Sequence, residues 1–569
     1  MNLSGSPNFN FLKNYGIYFI LVIFVIINIF YIDLLPIWDG FWNLQDVLYA
    51  INQPFAFKNY LINDHPAFLY AFIFGLTQKI DYGNIYLIHI VLTVIGIIGI
   101  FSFYKILLKI FSKKFYVEIL LFTLLFTISP LFLSNAVNTT LDFPVTCFSL
   151  AMIAALFYDK RCFFLFFALL AIFTKEIGFA IYFTLIVSYV IFLITRKNKT
   201  LNKSYLGLLM LPFLAYLLLF LYKNIILNQH FLWNYWNNNY QASKNTFSSI
   251  IALFLKFDLT NKYTITKLLQ TFVINFNWIL SLFVLIFVGE KILVFFKSFI
   301  FNKKFRSIHP HIKNINVDFL YIVLFIFIIN GVILWNYIIW VNMRYVLPII
   351  PLFIVIAFYC FVILLQKFYK LRIILLSVLI SVIFISNFFT IDKVSKDIFN
   401  TFSFGEKKML CMQQLVNLKN CGRDQIIYNL QYTNIIKVLQ QTIKKMQLSN
   451  DKKLHIVSSV QSKPVFLFWN IDIHKNNFSM LKADEKNIIQ PLMYTFNSSM
   501  KTSSTLIVNK LQESELPQKI NYVKMPMYGN EQNVELLQLK KKGYDIIDNY
   551  EIDYHGYQVS LFVLEKIKV

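Results

Sequence analysis

Two carboxylates, two long cations and a neighbouring histidine and glutamate stand at one kind of place along this chain, the junctions where a polar stretch meets an apolar run. Asp39 sits in PIWDGFWN, His65 in NDHPAF, Asp142 in NTTLDFP, Lys175 and Glu176 in FTKEIGF, and Arg344 in NMRYVLPIIP. Asp46 and Asp64 occupy similar junctions. A carboxylate at a membrane surface serves as a general base or as a metal ligand, and two of them can divide those roles. Arg344 offers a planar fork suited to a phosphate, and Lys175 a compact charge for the same anion, with Glu176 tuning it. His65 can contact a phosphate or a sugar. A purely structural role is open at each position. Asp39, Asp64 and Asp142 all suit helix starts, Asp64 with Pro66 in the first turn. Lys175 and Glu176 suit an internal ion pair or a snorkelling lysine, and Arg344 an interfacial anchor.

The elements that must position these groups are membrane helices. Hydrophobic residues make up 57% of the 569 residues, charged residues only 14%, and the mean hydropathy is +0.59. Soluble chains carry about 25% charged residues, and a single aqueous core stops growing at roughly 250–300 residues, so lipid must solvate the surplus apolar surface. Runs long enough to span, given about 20 residues per crossing, cover 16–36, 84–108, 117–134, 143–158, 162–174, 178–195, 205–222, 269–289, 317–337, 346–366 and 372–390. The fold expected is therefore an α-helical polytopic membrane protein of about eleven transmembrane helices. The first run is too long for a signal-peptide core and lacks a small-residue cleavage site, so it reads as an uncleaved span.

The formal net charge is +24. The cations lie in short clusters between runs: Lys105, Lys109, Lys113 and Lys114; Lys160 and Arg161; Arg196, Lys197, Lys199 and Lys203; six more across 290–314; and Lys367, Lys370 and Arg372. Every second loop is basic, which the positive-inside rule assigns to the cytoplasm. No basic stripe or nucleic-acid motif accompanies them, so no nucleic acid is expected as a partner. The N-terminus then lies inside. Loops 37–83, 135–142, 175–177, 223–268 and 338–345 lie outside, and the notable charges all fall on that outer face. The stretch 64–80 is short for a span and reads as interfacial or re-entrant. Trp233, Tyr235 and Trp236 fit an interfacial belt.

From about residue 391 the composition turns polar. Segment 431–447 reads as an amphipathic helix, KKLHIVSSV, KPVFLFWN and SSTLIVNK as short buried strands, and YEIDYHGYQVSLFVLEKI as a hairpin turning near His555 and Gly556. The domains expected are 1–390 in the membrane and 391–569 as a C-terminal soluble α/β domain outside it. Of the five cysteines, Cys147, Cys162 and Cys360 read as packing residues. Cys411 and Cys421 would have a disulfide open to them on an oxidising side.

The order of these features resembles the GT-C glycosyltransferases that use polyprenyl-phosphate sugars, and among them the protein O-mannosyltransferase and lipid A aminoarabinose transferase branch. An Asp after the first span matches Asp39. A loop segment of the H-P-P-L-Y type matches His65 to Tyr70, with Ala67 in place of the second proline. An Asp opening a later helix matches Asp142, a T-K-E segment matches Thr174 to Glu176, and R-Y-L-L-P-x-x-P matches Arg344 to Pro351. The family's Asp-Glu pair is Asp39-Gly40 here. The likeness covers roughly 15–390 and reaches no motif in the C-terminal part.

The resemblance implies transfer of a sugar from a polyprenyl-phosphate-linked donor, on the outer face of a lipid bilayer, to a hydroxyl of an acceptor glycolipid or protein. Asp39 would deprotonate the acceptor, Lys175 and Arg344 would stabilise the phosphate leaving group, and Asp142 would orient Asp39, hold a divalent cation or contact the acceptor. A divalent cation fits this scheme and is not required by it. A bacterial inner membrane is the expected location. Two other classes stay open. A transporter or flippase would carry internal repeats and broken spans, and a non-catalytic anchor would present the C-terminal domain to a partner.

Overall fold

The structure is a computed structural model. It describes residues 7–36, 67–81, 84–195, 203–222, 276–300, 315–337, 343–366 and 368–386, and in the C-terminal part 400–404, 407–411, 455–458, 492–495, 505–507, 517–524, 536–554 and 557–567. It also describes single residues between these, among them Gly40, Asn43, His65, Thr433 and Lys437.

Each apolar run of the sequence meets a helix. In chain order these are α1 Pro7–Phe30, α2 Phe68–Ile80, α3 Ile85–Ile110, α4 Tyr116–Thr127, α5 Pro130–Ala136, α6 Asp142–Phe157, α7 Arg161–Ile172, α8 Glu176–Thr195, α9 Lys203–Leu221, α10 Trp278–Ile300, α11 Val317–Tyr337, α12 Ile350–Leu364 and α13 Tyr369–Ser386. Four stretches among the described residues are long and apolar enough to cross a membrane: α3, α8, most of α11, and α12 with the 3-10 turn Met343–Ile349 that leads into it. The run expected as one span over 117–134 is instead bent by 57° between α4 and α5. Pro130 explains the break, since it has no N–H to give the ladder and starts a new helix at its first turn. The stretch 64–80, expected at the interface, contains the short helix α2.

Side chains on the outer faces are large and apolar: Phe19, Phe30, Phe163, Leu218 and Leu285 are all well over half exposed. Water would penalise that surface, and lipid does not. Inward, the helices approach closely where side chains are small. A Cβ on Gly99 would fall 2.6 Å from Cys147 Sγ, so α3 and α6 touch at a glycine. A Cβ on Gly178 would run into the Ala171 backbone and Val145, so the turn from α7 into α8 can sit against α6 only with glycine there. α12 is the most enclosed of the spanning stretches. Cys147 and Cys360 are buried as expected, whereas Cys162 is exposed, because it opens α7 at the basic Lys160–Arg161 junction.

The C-terminal part holds strands β1 Asn400–Phe404, β2 Lys407–Cys411, β3 His455–Ser458, β4 Leu492–Thr495, β5 Thr505–Ile507, β6 Lys519–Lys524, β7 Tyr544–Tyr554 and β8 Tyr557–Lys566. β1 and β2 pair alone, and the other six form one sheet in the order β5-β4-β3-β6-β8-β7. β5, β4, β3 and β6 run parallel, and β8 and β7 close the edge antiparallel. Ile520, Tyr522, Leu539, Tyr544 and Leu564 form its core. The hairpin near His555 is present as read. The strand KPVFLFWN, Cys421 and the aromatic stretch around Trp233, Tyr235 and Trp236 lie outside the described residues, as does most of 431–447.

Candidate active site at the helix N-termini

Three chain segments deliver the central charges to one point. α6 opens at Asp142, and Pro144 in its first turn costs no hydrogen bond there. The positive end of the helix favours a carboxylate at that place. Lys175 stands in the turn between α7 and α8, where Thr174 Oγ1 donates to the Leu170 carbonyl at 2.6 Å and the Gly178 N–H to the Lys175 carbonyl at 2.9 Å. Arg344 lies in the 3-10 turn before α12, which Pro348 and Pro351 keep from joining the helix.

Asp142 is the hub. Its Oδ1 accepts from Lys175 Nζ at 2.6 Å, and its Oδ2 faces Arg344 Nε at 3.2 Å. The three side chains are buried, 3%, 7% and 6% exposed for Asp142, Lys175 and Arg344. Tyr345 underlies both cations, its ring 4.5 Å from Lys175 Nζ and 5.1 Å from the Arg344 guanidinium, whose Nη2 donates to the Tyr345 hydroxyl at 3.3 Å. Burial works against the charge of Lys175, and the Asp142 carboxylate outweighs it, so Lys175 holds its proton above the ordinary lysine value. Beside this group, His65 Nδ1 meets Glu176 Oε2 at 2.8 Å.

A second set of contacts ties the entry to Asp142 to the start of the first outward loop. The Thr139 hydroxyl donates to the Gly40 carbonyl, Asn43 Nδ2 donates to the Thr139 carbonyl at 3.1 Å, and the Tyr70 hydroxyl donates to that same carbonyl at 2.6 Å. Gly40 packs so closely on Asn138 and Thr139 that a side chain would not fit.

The structure therefore brings together Asp142, Lys175, Arg344, His65 and Glu176 from the residues singled out in the sequence. Asp39, Asp46 and Asp64 lie outside the described residues. Two contributors were missed. Tyr345 was written into the R-Y segment, but its place under both cations depends on its turn packing against α6 and on Lys175 reaching it from the turn before α8. Thr139 carried no charge to draw attention, and only its three hydrogen bonds reveal it.

Among the described residues no three His, Cys, Asp or Glu side chains gather as a metal site. Asp142 suits a cation poorly, because each of its oxygens already faces a positive nitrogen.

No protein-family model matches the chain, and no curated protein matches its sequence. Two crystal structures of ArnT from Cupriavidus metallidurans align with it. The one bound to undecaprenyl phosphate covers 96% of this chain and 97% of its own, at 11% identity and a TM-score of 0.46. The apo form covers 97% and 98%, at 10% identity and a TM-score of 0.44.

Proposed function

We propose that this chain is a membrane glycosyltransferase that moves a sugar from a polyprenyl-phosphate donor to an acceptor hydroxyl on the outer face of a bacterial inner membrane, with inversion. The observation that carries this reading is the buried meeting of two cations on one carboxylate, Lys175 and Arg344 on Asp142, where three apolar helix systems begin. A group of that kind, set among lipid-facing helices, fits an anion that arrives attached to a lipid tail. The order of sequence segments supports the same reading, and so do the apolar runs, which suit about eleven spans, and the positive-inside pattern, which puts the N-terminus in the cytoplasm and the C-terminal α/β domain over 391–569 outside.

In this scheme Lys175 and Arg344 bind the donor phosphate and stabilise the charge that grows on it as the glycosidic bond breaks. Asp142 keeps the two cations desolvated, parallel in purpose and ready before the donor arrives. Tyr345 floors them with a ring face that does not compete for the anion. Asp39 takes the proton of the acceptor hydroxyl as its oxygen attacks the anomeric carbon from the side opposite the phosphate. One displacement inverts the configuration. The His65–Glu176 pair sits next to Lys175 and orients the lip of the site. No step runs through a metal. The sugar, hexose or pentose, and the acceptor, glycolipid or protein, are set by surfaces beyond this charge group.

The test is Asp39→Asn in proteoliposomes supplied with a radiolabelled polyprenyl-phosphate sugar and extracted membrane glycolipid as acceptor. Transfer is expected to fall about a thousandfold, with insertion and polyprenyl-phosphate binding retained. Undiminished transfer by the variant removes Asp39 as the base. Wild-type protein that does not bind polyprenyl phosphate removes the whole reading.

A further inference from the structure

Three consecutive residues at the end of the first helix, Asp33, Leu34 and Leu35, are each gripped by a different polar contact. Lys437 Nζ pairs with Asp33 Oδ2 at 2.8 Å. The Leu35 N–H donates to Thr433 Oγ1 at 2.9 Å. The Leu34 carbonyl meets His89 Nε2 of α3 at 2.7 Å; a carbonyl only accepts, so this nitrogen carries the hydrogen. Thr433 and Lys437 are four residues apart, the spacing that puts two side chains on one face of a helix, and both are helical. Leu34 is itself fully buried against Val137, two residues before Thr139.

We infer that the helical face bearing Thr433 and Lys437 is a positioning clamp, through which the C-terminal region fixes the strip of chain that leads from the first helix to Asp39. On one side of residues 37–39, Asp33 to Leu35 are held by Lys437, His89 and Thr433. On the other side, Gly40 and Asn43 are held by Thr139. Both anchors connect to the segment that ends at Asp142, the first through Leu34 on Val137 and the second through Thr139 directly. The clamp thus holds the described residues before Asp39, as Thr139 holds those after it, from outside the cation group. Leu35 is buried, and losing the Thr433 hydroxyl strands its N–H, which costs more than the hydrogen bond itself contributes. The clamp also gives the C-terminal region a role that its sequence does not announce.

The catalytic part of this inference rests on the function proposed above, and the experiment separates the two. Full-length protein in nanodiscs carries Thr433→Val, Lys437→Ala, or the exchanged pair Asp33→Lys with Lys437→Asp. Hydrogen exchange of the peptide over 31–36 is read together with sugar transfer and with binding of polyprenyl phosphate. Both single variants are expected to exchange faster in that peptide and to lower kcat, about fivefold for Lys437→Ala and about tenfold for Thr433→Val, with polyprenyl-phosphate Kd unchanged. The exchanged pair is expected to recover most of what Lys437→Ala loses in exchange protection and in kcat, which a variant that merely misfolds does not do. Unchanged exchange over 31–36 in both single variants overturns the clamp. Faster exchange in a protein that does not bind polyprenyl phosphate keeps the clamp and removes the glycosyltransferase reading instead.

Discussion

Two buried charge groups flank α12, and they are built differently. Beyond its N-terminal end, two cations share one carboxylate, Asp142, with a tyrosine ring beneath them. At its C-terminal end, about 22 Å away for 15 residues, one cation meets one carboxylate. Arg372 Nη2 lies 2.9 Å and Nε 3.1 Å from Glu118 Oε1, and Arg372 Nη1 reaches the Leu365 and Gln366 carbonyls that end α12. That second group is balanced in charge, and its extra donors are spent on capping a helix. It ties the starts of α4 and α13 to the end of α12. The first group differs in its stoichiometry: among the described residues two cations converge on the one carboxylate of Asp142, while Glu176 beside them is turned to His65. Burying charge is costly in both places. A balanced pair accounts for its own burial as a fastener. Two cations on one carboxylate leave donor hydrogens of Lys175 and Arg344 disposed to receive a further anion.

The sharpest way to break this contrast is to remove one cation from each end. Arg372→Ala leaves Glu118 buried with no guanidinium, and unfolding stability is expected to drop by about 3–5 kcal/mol, read as a large loss of thermal midpoint with polyprenyl-phosphate affinity of the folded fraction unaltered. Arg344→Ala leaves Asp142 still paired to Lys175. Its main effect is expected on ligand, a roughly 10- to 100-fold weaker polyprenyl-phosphate Kd from the loss of a charge-assisted contact of about 1.5–3 kcal/mol, with acceptor KM much less affected. If both substitutions act mainly on stability, the outer group is a second fastener and the contrast fails. A milder probe is Arg344→Lys, which keeps the charge and gives up the fork. Donor affinity is expected to fall by less than for the alanine variant, about fivefold.

The smallest effect expected is with pH. Lys175 binds its proton more tightly in the folded protein than an ordinary lysine does. Its contribution is therefore complete below the unfolded value of about 10.4 and is lost only as pH rises through the higher folded one. Donor binding between pH 7 and 9 should be flat in so far as Lys175 controls it. A decline across that window that disappears in Lys175→Arg would show that the lysine titrates early and that Asp142 does not hold its charge.

Much of the helical scaffold was legible in the residues, because lipid imposes a simple rule. Every run of sufficient length and hydropathy meets a helix. The exception is instructive. The run over 117–134 looks continuous, yet Pro130 divides it, and average hydropathy does not register one missing N–H. The cation group was legible only as an order of short segments. That Asp142, Lys175 and Arg344 meet follows from α6, α8 and the turn before α12 opening at one end of the bundle, and alternation of spans foretold that. Tyr345 and Thr139 were not legible, since their roles are contacts with residues far away in sequence. The same holds for Thr433 and Lys437, which in the sequence are two polar residues on an amphipathic helix. In the C-terminal part the β7–β8 hairpin was evident from a local turn, whereas the parallel order of β3 to β6 depends on crossovers that no local pattern encodes.

The position of Arg344 in the chain has a consequence for biogenesis. Asp142 and Lys175 lie on one three-helix unit, α6 to α8, so they emerge from the ribosome close together and can enter the bilayer as a neutral couple. Arg344 is synthesised some 170 residues later. Of the three charges Arg344 is therefore installed last, while 225 of the 569 residues are still to be made, so the second cation joins a couple that is already in place.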